Sequence, residues 1–585
     1  MTTTPRPVRD VGTEPPASPA MDAAATLLAR LVDGGLRHIV LSPGSRSQAL
    51  ALVAAELERL GRVSLHVRID ERVAGFTALG IGRESGMPAA VVCTSGTATA
   101  NLMPAVLEAG HAGIPLLLLT ADRPPELRGI GANQTTRQTG MYAGHTRWDA
   151  ELATPAGAPG ELDAVRDAAD QALAAALRTP CGPVHLNLPY REPLSGAIEA
   201  GCLSEVDAGS GVGSTVSARD GAAQQSTPAP VREGARGRTV SLPRGPRTLV
   251  IAGADAGPAA EQLAHDGGWP LVAEIVSGAR FGRNLVHGYR ALLRDPALGG
   301  RIERAAVFGH PTLSREVTAL LSRADVEVIA VDGPGERLNL NGATAAAASL
   351  TVDEGEPDRE WLGAWMRASR ASRVDLAPPA PDAAGMASAV PAEHLAAIDA
   401  EVAALRTPLD RELLVDALWR ATWPHDRLVF GSSRLVRVAD GVLPGKKVPV
   451  HANRGLAGID GTIATATGVA LASADAGVTR VLLGDLALLH DVGALLLPED
   501  EPTPRLQVIV GNDGGGTIFD GLEVAATAGE AAMRRVMYTP QHVNLARLAD
   551  AYGWEFTRVT TRSALDQALS ASSERPQLIE VPLDR

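Results

Sequence analysis

Cysteine is scarce in this sequence. Only three cysteines occur among its 585 residues, Cys93, Cys181 and Cys202, and they are far apart and form no CxxC pair. A disulfide framework or a cysteine-ligated metal cluster is therefore not expected, and the reducing cytoplasm is the predicted location.

Long apolar runs and an excess of positive charge are also missing. The leucine run at 116–119 is only as long as a strand, whereas a membrane-spanning helix needs about 20 apolar residues. Residues 1–20 are rich in Pro and Thr and contain no apolar segment like that of a signal peptide. The net charge of −13 argues against a general nucleic-acid binder. We therefore predict a soluble protein with no membrane span and no nucleic-acid partner.

The apolar residues that are present occur in short runs separated by segments of helical length, which is typical of buried parallel strands covered by helices. A chain of this length is too long for a single core. We therefore expect an α/β protein with three doubly wound parallel-sheet domains. The predicted strands are 38–41, 89–94, 116–120 and 184–188, then 248–252, 270–273, 305–308 and 326–331, and finally 428–431, 448–451, 480–483, 506–510 and 577–581.

Changes in composition predict where these domains begin and end. Two stretches rich in small residues and proline have the composition of linkers. The expected division is a disordered N-terminus at 1–20, a first domain at 21–203, a flexible linker at 204–243, a central domain at 244–375, a second linker at 376–396 and a third domain at 397–585.

Two turns in the third domain have the features of a site for a cation and a diphosphate. One predicted strand leads into Gly484-Asp485, and a later one leads into Asn512-Asp513 and a run of glycines. Mg²⁺ prefers carboxylate, amide and carbonyl oxygens together with phosphate, and glycines let the backbone approach phosphates closely. Either turn alone is an ordinary strand-to-loop turn. Together, and in this order, they resemble the Gly-Asp-Gly…Asn-Asn motif of thiamine-diphosphate-dependent enzymes.

The first domain contains the carboxylate that such enzymes need. Asp70-Glu71-Arg72 follows a short strand and begins a helix, where an isolated Glu would be stabilised by the helix dipole. In thiamine enzymes one carboxylate is hydrogen-bonded to the aminopyrimidine ring and activates the cofactor. By this resemblance Glu71 is the catalytic residue, in a domain of the pyrimidine-binding type, and the third domain is of the diphosphate-binding type.

Further motifs narrow the resemblance to the 2-succinyl-5-enolpyruvyl-6-hydroxy-3-cyclohexene-1-carboxylate synthases, the thiamine-dependent enzymes of menaquinone biosynthesis. They lie in both outer domains, and the central domain is similar only in general character. The motifs are Leu41-Ser-Pro-Gly-Ser-Arg-Ser47, Asp70-Glu-Arg72, Thr94-Ser-Gly-Thr97, Thr120-Ala-Asp-Arg-Pro-Pro-Glu-Leu127, Gly131-Ala-Asn-Gln134, Asn453-Arg-Gly455, Gly458-Ile-Asp-Gly461 and Gly484-Asp-Leu486.

The resemblance implies a transferase that uses thiamine diphosphate and Mg²⁺, with Mn²⁺ as an alternative. Its reaction is decarboxylation of 2-oxoglutarate and 1,4-addition of the resulting succinyl-semialdehyde carbanion to isochorismate. In related enzymes the domain with the catalytic Glu faces the diphosphate-binding domain of a neighbouring subunit, so a homodimer or homotetramer is implied.

The resemblance also implies two sets of binding residues. Four of them are arginines predicted near the carboxyl ends of strands, where several arginines together favour the capture of carboxylates, although a single loop arginine is usually a surface charge. The substrate-binding set is Ser45, Arg46, Arg123, Gln134, Ser433, Arg437 and Arg454. The cofactor-binding set is Glu71, Ile459, Gly484, Asp485, Asn512, Asp513, Gly515 and Ile518.

The sequence leaves the metal ligands partly open. Asp485 is one ligand. The family's spacing, counted forward from Asp485, selects Asn512 as the second ligand. Alignment backwards from the Gly-Gly-x-Ile-Phe sequence selects Asp513 instead, with the Gly515 carbonyl as a further ligand. We favour Asp513, which would add a negative charge near the cation. Ile459 resembles the apolar wedge that bends the cofactor, although its local sequence fits a core isoleucine nearly as well.

Two other functions are compatible with parts of this pattern. One is another thiamine-dependent 2-oxo-acid decarboxylase or an acetohydroxyacid-synthase-like enzyme, but those use smaller monocarboxylates and would not need several arginines. The other is a non-catalytic relative that binds ligand, against which the retained Glu71 and Asp485 argue.

Overall fold

The computed structural model describes residues 18–198, 203, 238–473 and 477–585. These residues form two compact units. The first consists of the described residues of Met1–Ala78, Gly86–Val106 and Ile114–Pro230, and the second of Leu79–Ser85, Leu107–Gly113 and the described residues of Val231–Arg585. Residues 1–17 of the predicted disordered N-terminus and residues 204–237 of the predicted first linker lie outside the described residues.

The first unit is built on a parallel six-stranded sheet with the order β2-β1-β3-β4-β6-β5. The strands are β1 (His38–Leu41), β2 (Ser64–Val67), β3 (Ala89–Cys93), β4 (Leu116–Asp122), β5 (Trp148–Glu151) and β6 (Pro183–Pro189). The helices are α1 (Pro19–Asp33), α2 (Gln48–Arg59), α3 (Glu71–Ser85), α4 (Thr97–Asn101), α5 (Met103–Ala112) and α6 (Glu161–Leu177), of which α3 and α5 continue into the second unit. Every residue of β3, β4 and β6 is buried, which explains the nearly continuous apolar sequences of β3 and β4.

Helix α1 begins earlier than the sequence predicted. The Ser18 side chain accepts a hydrogen bond from the Met21 N–H, and Pro19 occupies the first turn, which is a favourable start for a helix. Residues 19 and 20 are therefore helical, and the disorder predicted for 1–20 is wrong for these two residues. The helix then buries an apolar face that includes Leu27 and Leu28.

The second unit contains two larger parallel sheets and a parallel pair of strands. Their orders are β12-β11-β10-β8-β9, β15-β14-β16-β17-β19-β18 and β13-β7. The strands are β7 (Thr239–Leu242), β8 (Thr248–Ala252), β9 (Leu271–Ala273), β10 (Arg304–Phe308), β11 (Glu327–Val331), β12 (Ala345–Ala347), β13 (Ser349–Val352), β14 (Arg427–Phe430), β15 (Val450–His451), β16 (Thr479–Gly484), β17 (Leu506–Asn512), β18 (Glu555–Arg558) and β19 (Gln577–Pro582).

Helices cover these sheets and connect their strands. They are α7 (Ala259–Gly267), α8 (Tyr289–Arg294), α9 (Arg315–Leu321), α10 (Arg359–Ala371), α11 (Ala383–Met386), α12 (Pro391–Leu405), α13 (Arg411–Ala421), α14 (Arg434–Val442), α15 (Thr462–Ala472), α16 (Asp485–His490), α17 (Val524–Thr527), α18 (Glu530–Ala532), α19 (Leu545–Ala551) and α20 (Arg562–Ser570). No helix of the described residues is long and apolar enough to cross a membrane.

The α/β architecture with three main parallel sheets is confirmed, but two segments predicted as linkers contain regular structure. Strand β7 lies within 204–243 and pairs with β13 in parallel register, a partner more than 100 residues away that local composition could not reveal. Helices α11 and α12 overlap 376–396. Pro391 stands in the first turn of α12, where proline starts a helix rather than breaking it, and the alanines that follow are strong helix formers.

Candidate active site

In the first unit, the carboxyl end of β1 lies at a point where the order of the sheet reverses. The chain passes from β2 back across β1 to β3, and such a reversal opens a crevice that commonly binds ligands. The Arg46 N–H donates to the Thr94 hydroxyl at 3.4 Å. This hydrogen bond joins the turn after β1 to the turn after β3. Ser45 is exposed beside it.

Arg46 is buried although its charge is only partly satisfied. Its Nη1 donates to the Tyr190 carbonyl at 3.3 Å, and its Nη2 lies 3.8 Å from the carboxylate of Glu192. Its Nε is buried with no hydrogen-bond partner among the described residues. Burial, followed by the positive charge of Arg123, lowers the pKa of Arg46. Two neighbouring cations, one with an unused donor, form a favourable place for a carboxylate.

Arg123 and Gln134 are tied to the same edge of the sheet. Arg123 donates from Nε and Nη2 to the Asn133 carbonyl at 3.2 and 3.0 Å. Gln134 donates to the Ser95 carbonyl at 3.0 Å, and its own carbonyl accepts from the Ser95 hydroxyl at 2.9 Å. The structure thus brings the four substrate-binding residues predicted in this unit to the turns that follow β1, β3 and β4.

Glu71 is the first residue of α3 and is half-buried. Burial, together with the negative charge of Glu71, raises the pKa of the Cys93 thiol to about 12. The raised pKa keeps Cys93 protonated at neutral pH and unsuited to nucleophilic chemistry.

A buried polar network supports this edge, and the sequence analysis missed it. Gln138 accepts the Gly96 N–H at 2.9 Å and donates to Asn187 at 2.9 Å, and Asn187 donates to Asp122 at 2.9 Å. These residues hold the turn after β3 against β4 and β6. The available signal was the pair of polar residues, His185 and Asn187, within the predicted strand 184–188.

In the second unit, Asp485 and Asp513 follow the neighbouring strands β16 and β17. Asp485 is 5% exposed. The pKa of Asp485 is raised, with burial as the largest cause. Hydrogen bonds from backbone N–H groups lower this pKa, whereas repulsion from Asp513 raises it further. Two carboxylates held this close repel each other, so a cation beside them would be stabilised.

Asn512 and Asp513 are held differently. Asn512 is the last residue of β17, and its Nδ2 donates to Glu580 on β19 at 2.8 Å. Asp513 lies beyond the strand and accepts from Arg411 Nη2 at 2.8 Å and from the Thr517 hydroxyl. The pairing of Arg411 with Asp513 was not predicted, because these residues lie far apart in the sequence.

In the second turn, Gly515 packs too closely against the Tyr538 backbone to carry a side chain. Gly515 has a φ of +130°, and a Cβ added there would lie 2.2 Å from the Tyr538 carbonyl oxygen. Among the described residues no group of three or more His, Cys, Asp and Glu side chains could hold a metal. A cation at Asp485 and Asp513 would thus need backbone carbonyl and phosphate oxygens, which matches the ligand set of Mg²⁺ bound to a diphosphate.

The remaining cofactor residues predicted from the sequence lie in the same unit. Gly484 ends β16, and Ile518 is half-buried in a short 3₁₀ turn at Thr517–Gly521. Ile459 precedes α15 and is 37% exposed, so it is not the fully buried core residue that its local sequence also allowed.

The substrate-binding residues predicted in the second unit lie on and beside α14. Ser433 is the N-cap residue of this helix, and Arg437 donates to its carbonyl at 2.8 Å. Arg454 follows β15 and is 2% exposed. Burial, the largest cause, and the charge of Arg437 both act to lower the pKa of Arg454. The two arginines therefore form a second cationic pair.

Helix α14 is anchored by the buried Asp440, one turn beyond Arg437. Asp440 accepts from the Tyr289 hydroxyl at 2.6 Å, from Arg290 at 2.7 Å and from the Ile275 N–H at 2.9 Å. All three donors belong to the part of the unit that carries the five-stranded sheet. The position of Arg437 is thus set by contacts outside its own sheet.

This chain is similar to known proteins over nearly its whole length. Residues 21–141 match the family model described as "Thiamine pyrophosphate enzyme, N-terminal TPP binding domain". A protein of Leifsonia xyli subsp. xyli named 2-succinyl-5-enolpyruvyl-6-hydroxy-3-cyclohexene-1-carboxylate synthase is 54% identical, over 97% of each chain. Proteins with the same name from Clavibacter michiganensis subsp. michiganensis (53% identical, 97% of each chain) and Arthrobacter sp. (42%, covering 97% of this chain and 90% of the relative) are also similar.

The fold and the first-domain match define a thiamine-diphosphate-dependent enzyme. The chain belongs to the 2-succinyl-5-enolpyruvyl-6-hydroxy-3-cyclohexene-1-carboxylate synthase family. The resemblance inferred from the sequence motifs is confirmed.

Proposed function

We propose that the chain decarboxylates 2-oxoglutarate and joins the remaining four-carbon unit to isochorismate by 1,4-addition. The products are CO₂ and 2-succinyl-5-enolpyruvyl-6-hydroxy-3-cyclohexene-1-carboxylate, an intermediate of menaquinone biosynthesis. The observation that carries the proposal is the second cationic pair, Arg437 and Arg454, in the unit that also holds the Asp485–Asp513 site. Each substrate has two carboxylates, and paired arginines are the side chains best suited to bind them.

The cofactor residues would divide into two groups. Asp485, Asp513 and the Gly515 carbonyl would hold Mg²⁺ and through it the diphosphate, with Asn512 as the second candidate ligand; Mn²⁺ would fit the same oxygen ligands. Supporting this choice, Asp513 is close enough to Asp485 to raise its pKa, whereas the Asn512 amide donates to Glu580. When bound, thiamine diphosphate supplies the nucleophilic carbon and the electron sink that decarboxylation of a 2-oxo acid requires.

The chain's own side chains bind, orient and move one proton. Glu71 would hold the aminopyrimidine ring through its carboxylate and act as the proton acceptor and donor there. Ile459, Ile518 and Gly484 would contact the cofactor body. Ser45, Arg46, Arg123 and Gln134, together with Ser433, Arg437 and Arg454, would hold the carboxylates and so bring the two substrates into reacting positions.

The proposal extends to the assembly and to the domain limits. A homodimer, or a homotetramer, in the cytoplasm is proposed from family membership, with one domain per main sheet at 21–203, 244–375 and 397–585. Gel filtration combined with light scattering measures the assembly directly.

The decisive experiment uses purified protein with thiamine diphosphate, Mg²⁺ and 2-oxoglutarate, with and without isochorismate. We expect CO₂ release and product of the expected mass only when both acids are present. Glu71→Gln should abolish turnover, whereas Glu360→Gln, at an exposed position on α10, should not change it.

Other outcomes would redirect the proposal. CO₂ release from pyruvate but not from 2-oxoglutarate would keep the cofactor and overturn the substrates. Absence of both turnover and thiamine-diphosphate binding would overturn the proposed reaction altogether.

A further inference from the structure

Glu274 is a buried carboxylate with no place in the proposed reaction. It follows β9 directly, and none of its surface is exposed. Its Oε1 accepts two backbone N–H groups, from Thr312 at 2.8 Å and from Leu313 at 2.7 Å. Its Oε2 is buried with no hydrogen-bond partner among the described residues. Burying such a group is costly, so its presence at this position calls for a physical reason.

The Thr312–Leu313 turn, whose N–H groups bind Glu274, also accepts hydrogen bonds from Arg454. The Thr312 hydroxyl accepts from Arg454 Nε at 3.0 Å and from Nη2 at 2.7 Å. The Thr312 carbonyl accepts from Nη2 at 3.2 Å. The remaining nitrogen, Nη1, donates to the Ser432 hydroxyl at 3.2 Å. Three of the four hydrogen bonds on this guanidinium therefore end on one residue.

This arrangement fixes a long side chain in one orientation. An arginine that is free to rotate loses conformational entropy when it binds a ligand, whereas one already held in place does not. Neutral partners also leave the positive charge of Arg454 available, because neither Thr312 nor Ser432 carries a countercharge. A carboxylate arriving at this site would meet a positioned cation whose hydrogen-bond partners are neutral.

The charges around Glu274 explain why its own carboxylate does not neutralise this cation. Burial, followed by repulsion from Asp440, raises the pKa of Glu274 to about 8. At neutral pH the group is therefore mostly protonated and does not compete with an incoming anion. Glu274 interacts electrostatically with five other titratable groups, and these interactions change the pKa of Glu274 or of the partner. The five groups are Asp440, Arg280, Tyr289, Arg437 and Arg454.

We propose that Glu274 is a positioning residue, which holds the Thr312–Leu313 turn so that Thr312 presents the Arg454 guanidinium to a substrate carboxylate. The inference rests on the proposed role of Arg454 in binding a dicarboxylate substrate. Glu274 itself does not touch substrate, so its effect should appear in substrate binding rather than in the chemical step.

The first test compares two substitutions of Thr312 in the holoenzyme. Thr312→Val keeps the shape but removes the hydroxyl that accepts two of the Arg454 hydrogen bonds, and Thr312→Ser keeps that hydroxyl. We expect Thr312→Val to raise KM for one of the two acids about tenfold with little change in kcat. Thr312→Ser should restore KM to within about twofold of wild type.

The second test compares substitutions of Glu274. Glu274→Gln retains a carbonyl oxygen for the two N–H groups, whereas Glu274→Ala removes the acceptor and leaves both groups unsatisfied. We expect the alanine variant to show the same rise in KM and the glutamine variant to rescue it at neutral pH. If the alanine variant fails to fold, Thr312→Val still tests whether the Thr312 hydroxyl positions Arg454.

A crystal structure of Thr312→Val separates this inference from the proposed reaction. A displaced Arg454 guanidinium, with the wild-type orientation in Thr312→Ser, supports positioning even if the wild-type enzyme uses other acids. An unmoved guanidinium, or an unchanged KM for both acids in an active enzyme, overturns it. A wild-type enzyme without turnover on either acid would instead overturn the proposed function, and the guanidinium position would still decide this inference.

Discussion

Replacing Glu274 by glutamine should remove a pH-dependent loss of stability. Burial and Asp440 raise the pKa of Glu274 to about 8 from an ordinary 4.5. In the unfolded chain the carboxyl group ionises above about pH 4.5, whereas the folded protein keeps the proton until about pH 8. The unfolded state therefore binds fewer protons between these values, and the free energy of unfolding falls as pH rises.

The size of the effect follows from the width of this pH range. Where only the folded state holds the proton, the free energy of unfolding falls by about 1.4 kcal/mol per pH unit. Over the whole range the loss amounts to roughly 5 kcal/mol, and from about pH 6 to pH 8 to roughly 2–3 kcal/mol. Below about pH 4.5 there is no loss, and above about pH 8 it is constant. Glutamine cannot ionise, so the variant should lack this slope.

Two measurements check the argument. Thermal unfolding of wild type and Glu274→Gln should show a melting-temperature difference that shifts steadily in favour of the variant as pH rises from about 5 to 8. Infrared difference spectra should show a protonated carboxyl band in the wild type alone, with a midpoint of loss near pH 8. Glu360→Gln, at its exposed position, should follow the wild type throughout.

One result would refute the reasoning. If the stability difference stays flat from about pH 5 to pH 8, or if the carboxyl band disappears near pH 4.5, Glu274 is ionised in the folded protein. Burial and the charge of Asp440 would then not govern this group.

Three further predictions follow from other contacts. Asp513→Ala should weaken Mg²⁺-dependent thiamine-diphosphate binding, measured by calorimetry, at least about tenfold, whereas Asn512→Ala should weaken it much less. A larger effect of Asn512→Ala would make Asn512 the metal ligand instead. Arg46→Lys should raise KM for a carboxylate substrate about tenfold, and an unchanged steady-state KM would remove Arg46 from the binding set. Gly80→Ala should lower the melting temperature markedly, since the added Cβ would lie 2.0 Å from the Thr465 carbonyl oxygen; wild-type thermal unfolding would contradict that contact.

The sequence predicted features that depend on local chemistry. Glu71 at a helix start and Asp485 after a strand are recognisable because the residue type and its place in a strand–turn–helix unit occur together. Apolar strands such as β3 and β4 were found for the same reason, since burial on both faces leaves a nearly continuous apolar run.

Features that depend on distant partners were not predictable in this way. Arg411 pairs with Asp513, and Thr312 with Arg454, across more than 100 residues. The different placements of Asn512 and Asp513 also depend on the fold. Asn512 is still within β17, so its side chain reaches the neighbouring strand, whereas Asp513 lies past the strand end, near Asp485.

The anchoring of α14 by Asp440 has a consequence for how such proteins can be recombined. Arg437 is one helical turn from a carboxylate whose partners, Tyr289 and Arg290, lie more than 140 residues earlier in the chain. A chimera that takes α14 from a relative but keeps the native segment around Tyr289 would bury an unmatched charge, unless the relative's helix had a carboxylate at the position of Asp440. Exchange of substrate preference by swapping the last third of the chain should therefore succeed only when both segments come from one parent.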